Sequence, residues 1–267
     1  MITGEIMQAR HVINFVIVAK SREAIKRLSI KNYLTNPIVF YDSSNIILSG
    51  YSLKSLEEIN LLKNLMSFNG FVFIQKRKSI PSPNASSSKR QKKLCKFHLV
   101  HISEIPNEKT KKKVTKLLKK SLFFKIARNT YLIPTWSTKV YEKFKMISPP
   151  LFVLHKLRRL GLDILIIPSL VPINGDMYLR LLEKISNSFI KEFETELKKA
   201  KKLRTYFKEN REPHITMRKL KILFRNLKIL KEKAIILKKI TGKNYKKFYN
   251  KVYVYLIRLK KDIEIYI

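Results

Sequence analysis

The sequence predicts an α+β fold made of two tandem ferredoxin-like βαββαβ domains followed by a helical C-terminal extension. Three observations predict it. Hydrophobic period, turn signals and charge change together across residues 97–168 in the order strand, helix, hairpin, helix, strand. Residues 11–75 run through the same order with no obvious sequence repeat between the two stretches. Beyond Pro172 the period is helical to the end of the chain.

In the second stretch, residues 97–103 alternate as a half-buried strand should and stop before Glu104-Ile105-Pro106. Asn107 or Thr110 then caps a helix that turns Val114, Leu117 and Leu118 inward. Residues 123–126 and 130–134 form a hairpin through Arg128-Asn129, because Asn tolerates a left-handed turn. A helix over 138–160 is interrupted by Pro149-Pro150, which Gly161 stops before a strand over 162–167. In the first stretch the strand of residues 11–19 leads to a helix over 22–28 capped by Ser21. A hairpin of residues 38–41 and 46–48 follows, then a helix over 53–68 capped by Ser52, and a strand over 71–75.

These elements imply domains at 1–75 and 97–171, a linker at 76–96 and a basic helical extension at 172–267. In the extension a helix over 176–209 aligns Leu182, Ile185, Phe189, Phe193, Leu197, Ala200 and Leu203, and Pro213 separates it from the next. That next helix carries Leu220, Leu223, Leu227, Leu230, Ala234 and Leu237 at heptad spacing, which suits packing against the preceding helix. A final helix over 244–261 places Phe248, Val252, Tyr255 and Leu259 on one side.

A formal net charge of +38 dominates the composition of this lysine-rich chain of 267 residues. Self-repulsion on that scale favours a polyanionic partner, nucleic acid first among them, although Lys- and Ile-rich usage also follows from an AT-rich genome or a hot environment. Residues 1–75 are close to neutral, with eight Lys/Arg against five Asp/Glu, whereas residues 76–97 hold eight basic residues and no acid. The linker, with Pro81-Ser82-Pro83 and Lys89-Arg90-Gln91-Lys92-Lys93, reads as a solvated tether with some phosphate affinity. The single Cys95 and the absence of a basic leader or a long apolar run lead to the expectation of a cytoplasmic protein that does not enter a membrane.

From Phe97 to about Lys239 the chain resembles the N-terminal domain of the chromate-resistance regulator family. The resemblance rests on Leu99-Val100-His101-Ile102, the basic helix to Leu117-Leu118-Lys119-Lys120, the strand Asn129-Thr130-Tyr131-Leu132-Ile133-Pro134, and the Lys- and Glu-rich helix from Phe189 to Leu203. It implies a ferredoxin-like fold, related to phenylacetate-catabolism repressors and to the small CRISPR adaptation nucleases, and a DNA-binding regulatory role. Residues 37–52 faintly resemble half of a TATA-binding-protein repeat. In the adaptation nucleases an Asp ends the first strand and a dimer pairs two of them around Mg²⁺. Here that position is His101, a poor Mg²⁺ ligand, with Ser103 and Glu104 just beyond. A homodimer and a nuclease using Glu104 therefore remain alternatives.

No other chemistry is legible. His11, His98, His101, His155 and His214 lack metal-ligand spacing, Gly is too scarce for a phosphate-cradling loop, and Ser137, Ser148 and Ser169 lie in no nucleophile motif, so no cofactor, metal or catalytic residue is expected. Trp136 reads as a core or lid residue. What remains is basic clusters interleaved with aromatics: Lys89, Arg90, Lys92 and Lys93; Lys111, Lys112, Lys113, Lys116 and Lys120; Lys156, Arg158 and Arg159; Lys198, Lys199, Lys201 and Lys202; and Lys246 and Lys247 beside Tyr245, Phe248 and Tyr249. Any one cluster is equally a solvated helix face, but no acidic surface offsets their sum. The expected function is a non-enzymatic nucleic-acid-binding protein of regulatory role, with DNA favoured over RNA and contacts mainly to phosphates. A ribosome- or RNA-associated factor is the further alternative.

Overall fold

The computed structural model describes residues 12–19, 38–42, 45–52, 71–75, 95–102, 105–135, 138–172 and 175–266. In chain order the elements are β1 (Val12–Ala19), β2 (Ile38–Asp42), β3 (Asn45–Ser52), β4 (Phe71–Gln75), β5 (Phe97–Ile102), α1 (Glu108–Lys119), β6 (Phe124–Ala127), β7 (Thr130–Pro134), α2 (Thr138–Glu142), α3 (Pro150–Arg158), β8 (Ile164–Pro172), α4 (Gly175–Asn210), α5 (Pro213–Thr241) and α6 (Lys246–Glu264). The protein is thus α+β. The expected helices at 22–28 and 53–68, residues 76–94 of the linker and Trp136 lie outside the described residues.

The strands lie in one sheet of order β2-β3-β1-β4-β8-β5-β7-β6. From each half's inner edge outward the strands come fourth, first, third and second, and the two fourth strands meet antiparallel, Phe73 opposite Pro172 and Gln75 opposite Leu170. The sequence separates the halves, but backbone hydrogen bonds join them.

Strand β8 is longer than the sequence suggests. Pro168 ends the apolar run, and the expected strand stops at residue 167, yet the ladder continues to Pro172 through an irregularity in the β5 register. Ser169 takes a positive φ of 59° there, and its N–H donates 3.2 Å to Nδ1 of His98 instead of to a carbonyl of the neighbouring strand. A side chain thereby satisfies a donor that the proline-disturbed ladder leaves over. Strand β5 also departs from the expected half-burial: Leu99 and Val100 point to opposite faces and both are fully buried, as befits a strand inside a sheet rather than at its edge.

Helix α1 begins where expected, because Asn107 Oδ1 accepts the Thr110 N–H at 2.8 Å; Thr110 itself lies inside the helix. The interruption expected at Pro149-Pro150 separates α2 from α3, although α2 already ends at Glu142. Pro150 sits in the first turn of α3, where its missing N–H goes unneeded, and Ser148 is tied back to the end of α1 through Lys120 O and Ser121 Oγ. Asn129, at φ 51°, makes the hairpin turn.

By contacts the chain divides into two units. One holds the sheet strands and the first turns of α4; the other holds α1, α2, α3, the rest of α4, α5 and α6. In the helical unit Gly242 closes α5 in the left-handed region, at φ 72°, and its N–H reaches Lys238 O at 2.9 Å. Among the described residues no helix is long and apolar enough to cross a membrane.

Gly242→Ala should lower stability by about 1 kcal/mol in a denaturant titration, because a Cβ meets no atom there but the left-handed backbone strains it. Gly175→Ala, equally open and without a positive φ, should lower nothing. Burial holds the His98 pKa below its ordinary 6.5, so stability is complete above 6.5 and declines as pH falls through the lowered folded value. The melting temperature should therefore drop between pH 7.5 and 5 by more in the wild type than in His98→Asn.

Candidate nucleic-acid interface

The helical unit is built on the apolar stripes of its three long helices. Leu220, Leu223, Leu227, Leu230 and Leu237 of α5 are all buried, with Ile185, Phe189, Phe193, Ala200 and Leu203 of α4 and Val252, Leu256, Leu259 and Ile263 of α6. Each large side chain contributes roughly 1.5–3 kcal/mol by leaving water. On the expected side of α6, Val252 and Leu259 are buried. Phe248 and Tyr255 are only half-buried, and the stripe continues through Leu256 and Ile263. Tyr245, expected beside the basic pair, is buried: its hydroxyl bonds Ser186 Oγ at 3.0 Å and Thr241 Oγ1 at 2.9 Å, and its ring meets Phe189 edge-on.

Several acids of the helical unit are engaged within it, whereas Glu183, Glu194 and Glu209 of α4 are exposed. Glu196 is buried, paired with Lys199 and accepting from Asn226 at 3.0 Å. Asp262 pairs with Arg204 at 2.8 Å, Glu264 with Lys260 at 3.1 Å, and Glu212 bonds the Tyr206 hydroxyl. Glu232 accepts the backbone N–H groups of Lys145, Met146 and Ile147 at 3.3, 2.9 and 3.1 Å. Between residues 211 and 264 there are seventeen Lys/Arg and only four Asp/Glu, so the charge left facing solvent is strongly positive.

Lys111, Lys112, Lys113 and Lys116 are exposed on α1, with Lys111 held by Glu108 at 2.7 Å, while Lys120 at the end of the helix is half-buried. Lys156, Arg158 and Arg159 are exposed around α3, the Lys156 ammonium 4.3 Å from the centre of the exposed Phe152 ring. On α4, Lys198, Lys201 and Lys202 are exposed and Lys199 is drawn to Glu196; on α6, Lys246 and Lys247 are exposed. Lys89, Arg90, Lys92 and Lys93 lie outside the described residues.

The cations of α5 form a stripe that sequence reasoning missed. Arg218, Lys221, Arg225 and Lys228 are all exposed and recur at three- and four-residue spacing, opposite the leucine stripe. The heptad leucines fix which positions turn inward, so the outward positions were implied by the same spacing. A comparison with family models, with curated proteins and with solved structures gave no match.

The two histidines of β5 have structural roles: His98 accepts from Ser169, and His101 Nδ1 lies 3.0 Å from Thr130 Oγ1. An imidazole engaged with Thr130, as that of His101 is, does not fit a hard oxygen-seeking cation such as Mg²⁺. Glu104 lies outside the described residues, and among those that are described no three His, Cys, Asp or Glu side chains converge on a metal position.

Lys233 is the exception among the α5 cations. The second half of the helix is enclosed on more sides, and Lys233 is buried with its ammonium 3.3 Å from Glu192, beside a cavity of about 20 Å³ lined by Ser121, Ser188 and Leu237. That volume suits one water. Removing the acid strands a buried cation, whereas replacing the cation by an apolar chain of similar size does not. Glu192→Ala should therefore cost about 1–2 kcal/mol in thermal or chemical denaturation, a value reduced for the half-exposure of the carboxylate, and Lys233→Met should cost nearly nothing.

Proposed function

We propose that the chain is a nucleic-acid-binding protein that holds its ligand mainly by phosphate contacts from the helical unit, and that its role is regulatory. The observation that carries this reading is the outward stripe of α5, in which Arg218, Lys221, Arg225 and Lys228 face solvent while Glu232, the helix's single acid, is engaged with backbone N–H groups. Cations arranged this way neutralise phosphates and release counterions, a sequence-independent interaction that loses strength with salt. Lys112, Lys113 and Lys116 of α1, Lys156, Arg158 and Arg159, Lys198, Lys201 and Lys202, and Lys246 and Lys247 extend the positive surface over the other helices. DNA is the polymer that the resemblance to chromate-resistance regulators implies. We read the strand order of each half as that of a ferredoxin-like unit, which makes the sheet two such units side by side.

The test is fluorescence-anisotropy titration of duplex DNA, single strands and structured RNA at two salt concentrations, with Mg²⁺ present and probe integrity checked afterwards. The wild type should bind with a steep salt slope and leave the probe intact. Changing Arg218, Lys221, Arg225 and Lys228 together to Gln should weaken binding and make the slope of log K against log salt shallower by about 3–4. An unchanged slope contradicts this assignment. Preference for structured RNA selects the RNA-associated factor, and Mg²⁺-dependent cleavage abolished by Glu104→Ala selects the nuclease.

A further inference from the structure

Resting on the reading above, we infer that the seam between α5 and α6 binds unpaired bases, so that the preferred ligand is single-stranded nucleic acid, with Tyr253 as the stacking platform. The rings of Tyr249 and Tyr253, one helical turn apart on α6, lie nearly parallel, 5.7 Å between centres and 13° between planes. Phe224 of α5 meets Tyr253 edge-on at 6.5 Å, and the Lys231 ammonium lies 5.6 Å from the centre of the Tyr249 ring. This row differs from the other aromatic contacts of the unit. Phe189, Phe193 and Tyr245 meet in the buried interior, whereas Tyr253 is 41% exposed.

The surroundings of the row supply the second half of a single-strand site. Lys228 follows Phe224 by one turn and precedes Lys231 by one; Lys246 precedes Tyr249 by one turn on α6, and all three cations are exposed. A base has a π-face whatever its identity, and its phosphates need cations a few ångströms to either side. An exposed ring row flanked by lysines on two helices meets both needs. A duplex keeps its bases stacked on one another, so it engages the lysines but not Tyr253.

The experiment uses the full chain and fluorescein-labelled oligothymidine, oligouridine and a blunt duplex at one moderate salt concentration. Tyr253→Leu keeps an apolar side chain against Phe224 but removes the π-face, Tyr253→Phe keeps the ring, and Tyr266→Ala removes an exposed ring elsewhere on the unit. Melting curves confirm that each variant folds. Tyr253→Leu should weaken single-strand binding about tenfold and leave duplex binding within twofold, while Tyr253→Phe and Tyr266→Ala change neither. If Tyr253→Leu leaves single-strand affinity unchanged, or weakens single strand and duplex equally, the stacking inference is overturned while phosphate binding stands. Failure of the wild type to bind any of the three probes overturns both.

Discussion

The burial of the α5 leucine stripe is the constraint on which the helical unit depends. Leu220, Leu223, Leu227 and Leu230, continued by Ile236, Leu237 and Ile240, face inward because apolar burial has to repay the ordering of twenty-nine residues, nine of them basic. Once the leucines are inside, the angular position of every other side chain follows at 100° per residue. Arg218, Lys221, Arg225 and Lys228 have no choice but to face water. The basic surface is a geometric consequence of the core.

That surface would weaken the fold if its acids were spread evenly among the cations. Three of them sit at internal junctions. Glu196 ties α4 to α5 through Asn226, Asp262 ties α6 to α4 through Arg204, and Glu232 fastens α5 to the turn before α3 through three backbone donors. Glu196 and Glu232 serve where a hydrogen bond is charge-assisted and partly shielded from solvent, so their contribution exceeds that of a surface pair. Repulsion among the remaining exposed cations is then relieved by counterions or by a polyanion, which links the stability of the unit to the binding proposed for it.

Much of this was legible in the sequence. The Pro, Gly and Asn positions that punctuate the second half behave as their backbone chemistry requires, Asn107 as a cap, Asn129 and Gly242 in the left-handed region, and Pro150 in a first helical turn. The three long helices appear within a few residues of their sequence limits because their apolar period runs over many turns. The continuation of β8 past Pro168 was not legible, since a proline normally ends a ladder and the compensation comes from His98, seventy-one residues away. Nor was the joining of both strand sets into one sheet, because edge-to-edge pairing uses backbone groups that every residue carries. The candidate site was half legible. Runs such as Lys198-Lys199 and Lys246-Lys247 attract notice in a sequence, but adjacent residues point in different directions on a helix. The cations of α5 lie scattered among leucines and converge only when the helix is formed. Tyr245 looked like part of an aromatic and basic cluster, yet its hydroxyl is engaged by Ser186 and Thr241 in the interior.

The central claim is that the outward face of the helical unit meets the phosphate backbone, and chemical footprinting of lysines tests it most directly. The full chain would be acetylated briefly with and without a saturating oligonucleotide, and the modified lysines quantified by mass spectrometry. Protection should concentrate on Lys221, Lys228, Lys231 and Lys246, while Lys199 and Lys260, already paired with Glu196 and Glu264, should react alike in both samples. Protection confined to other parts of the chain, or reactivity unchanged at saturating oligonucleotide, would contradict the account.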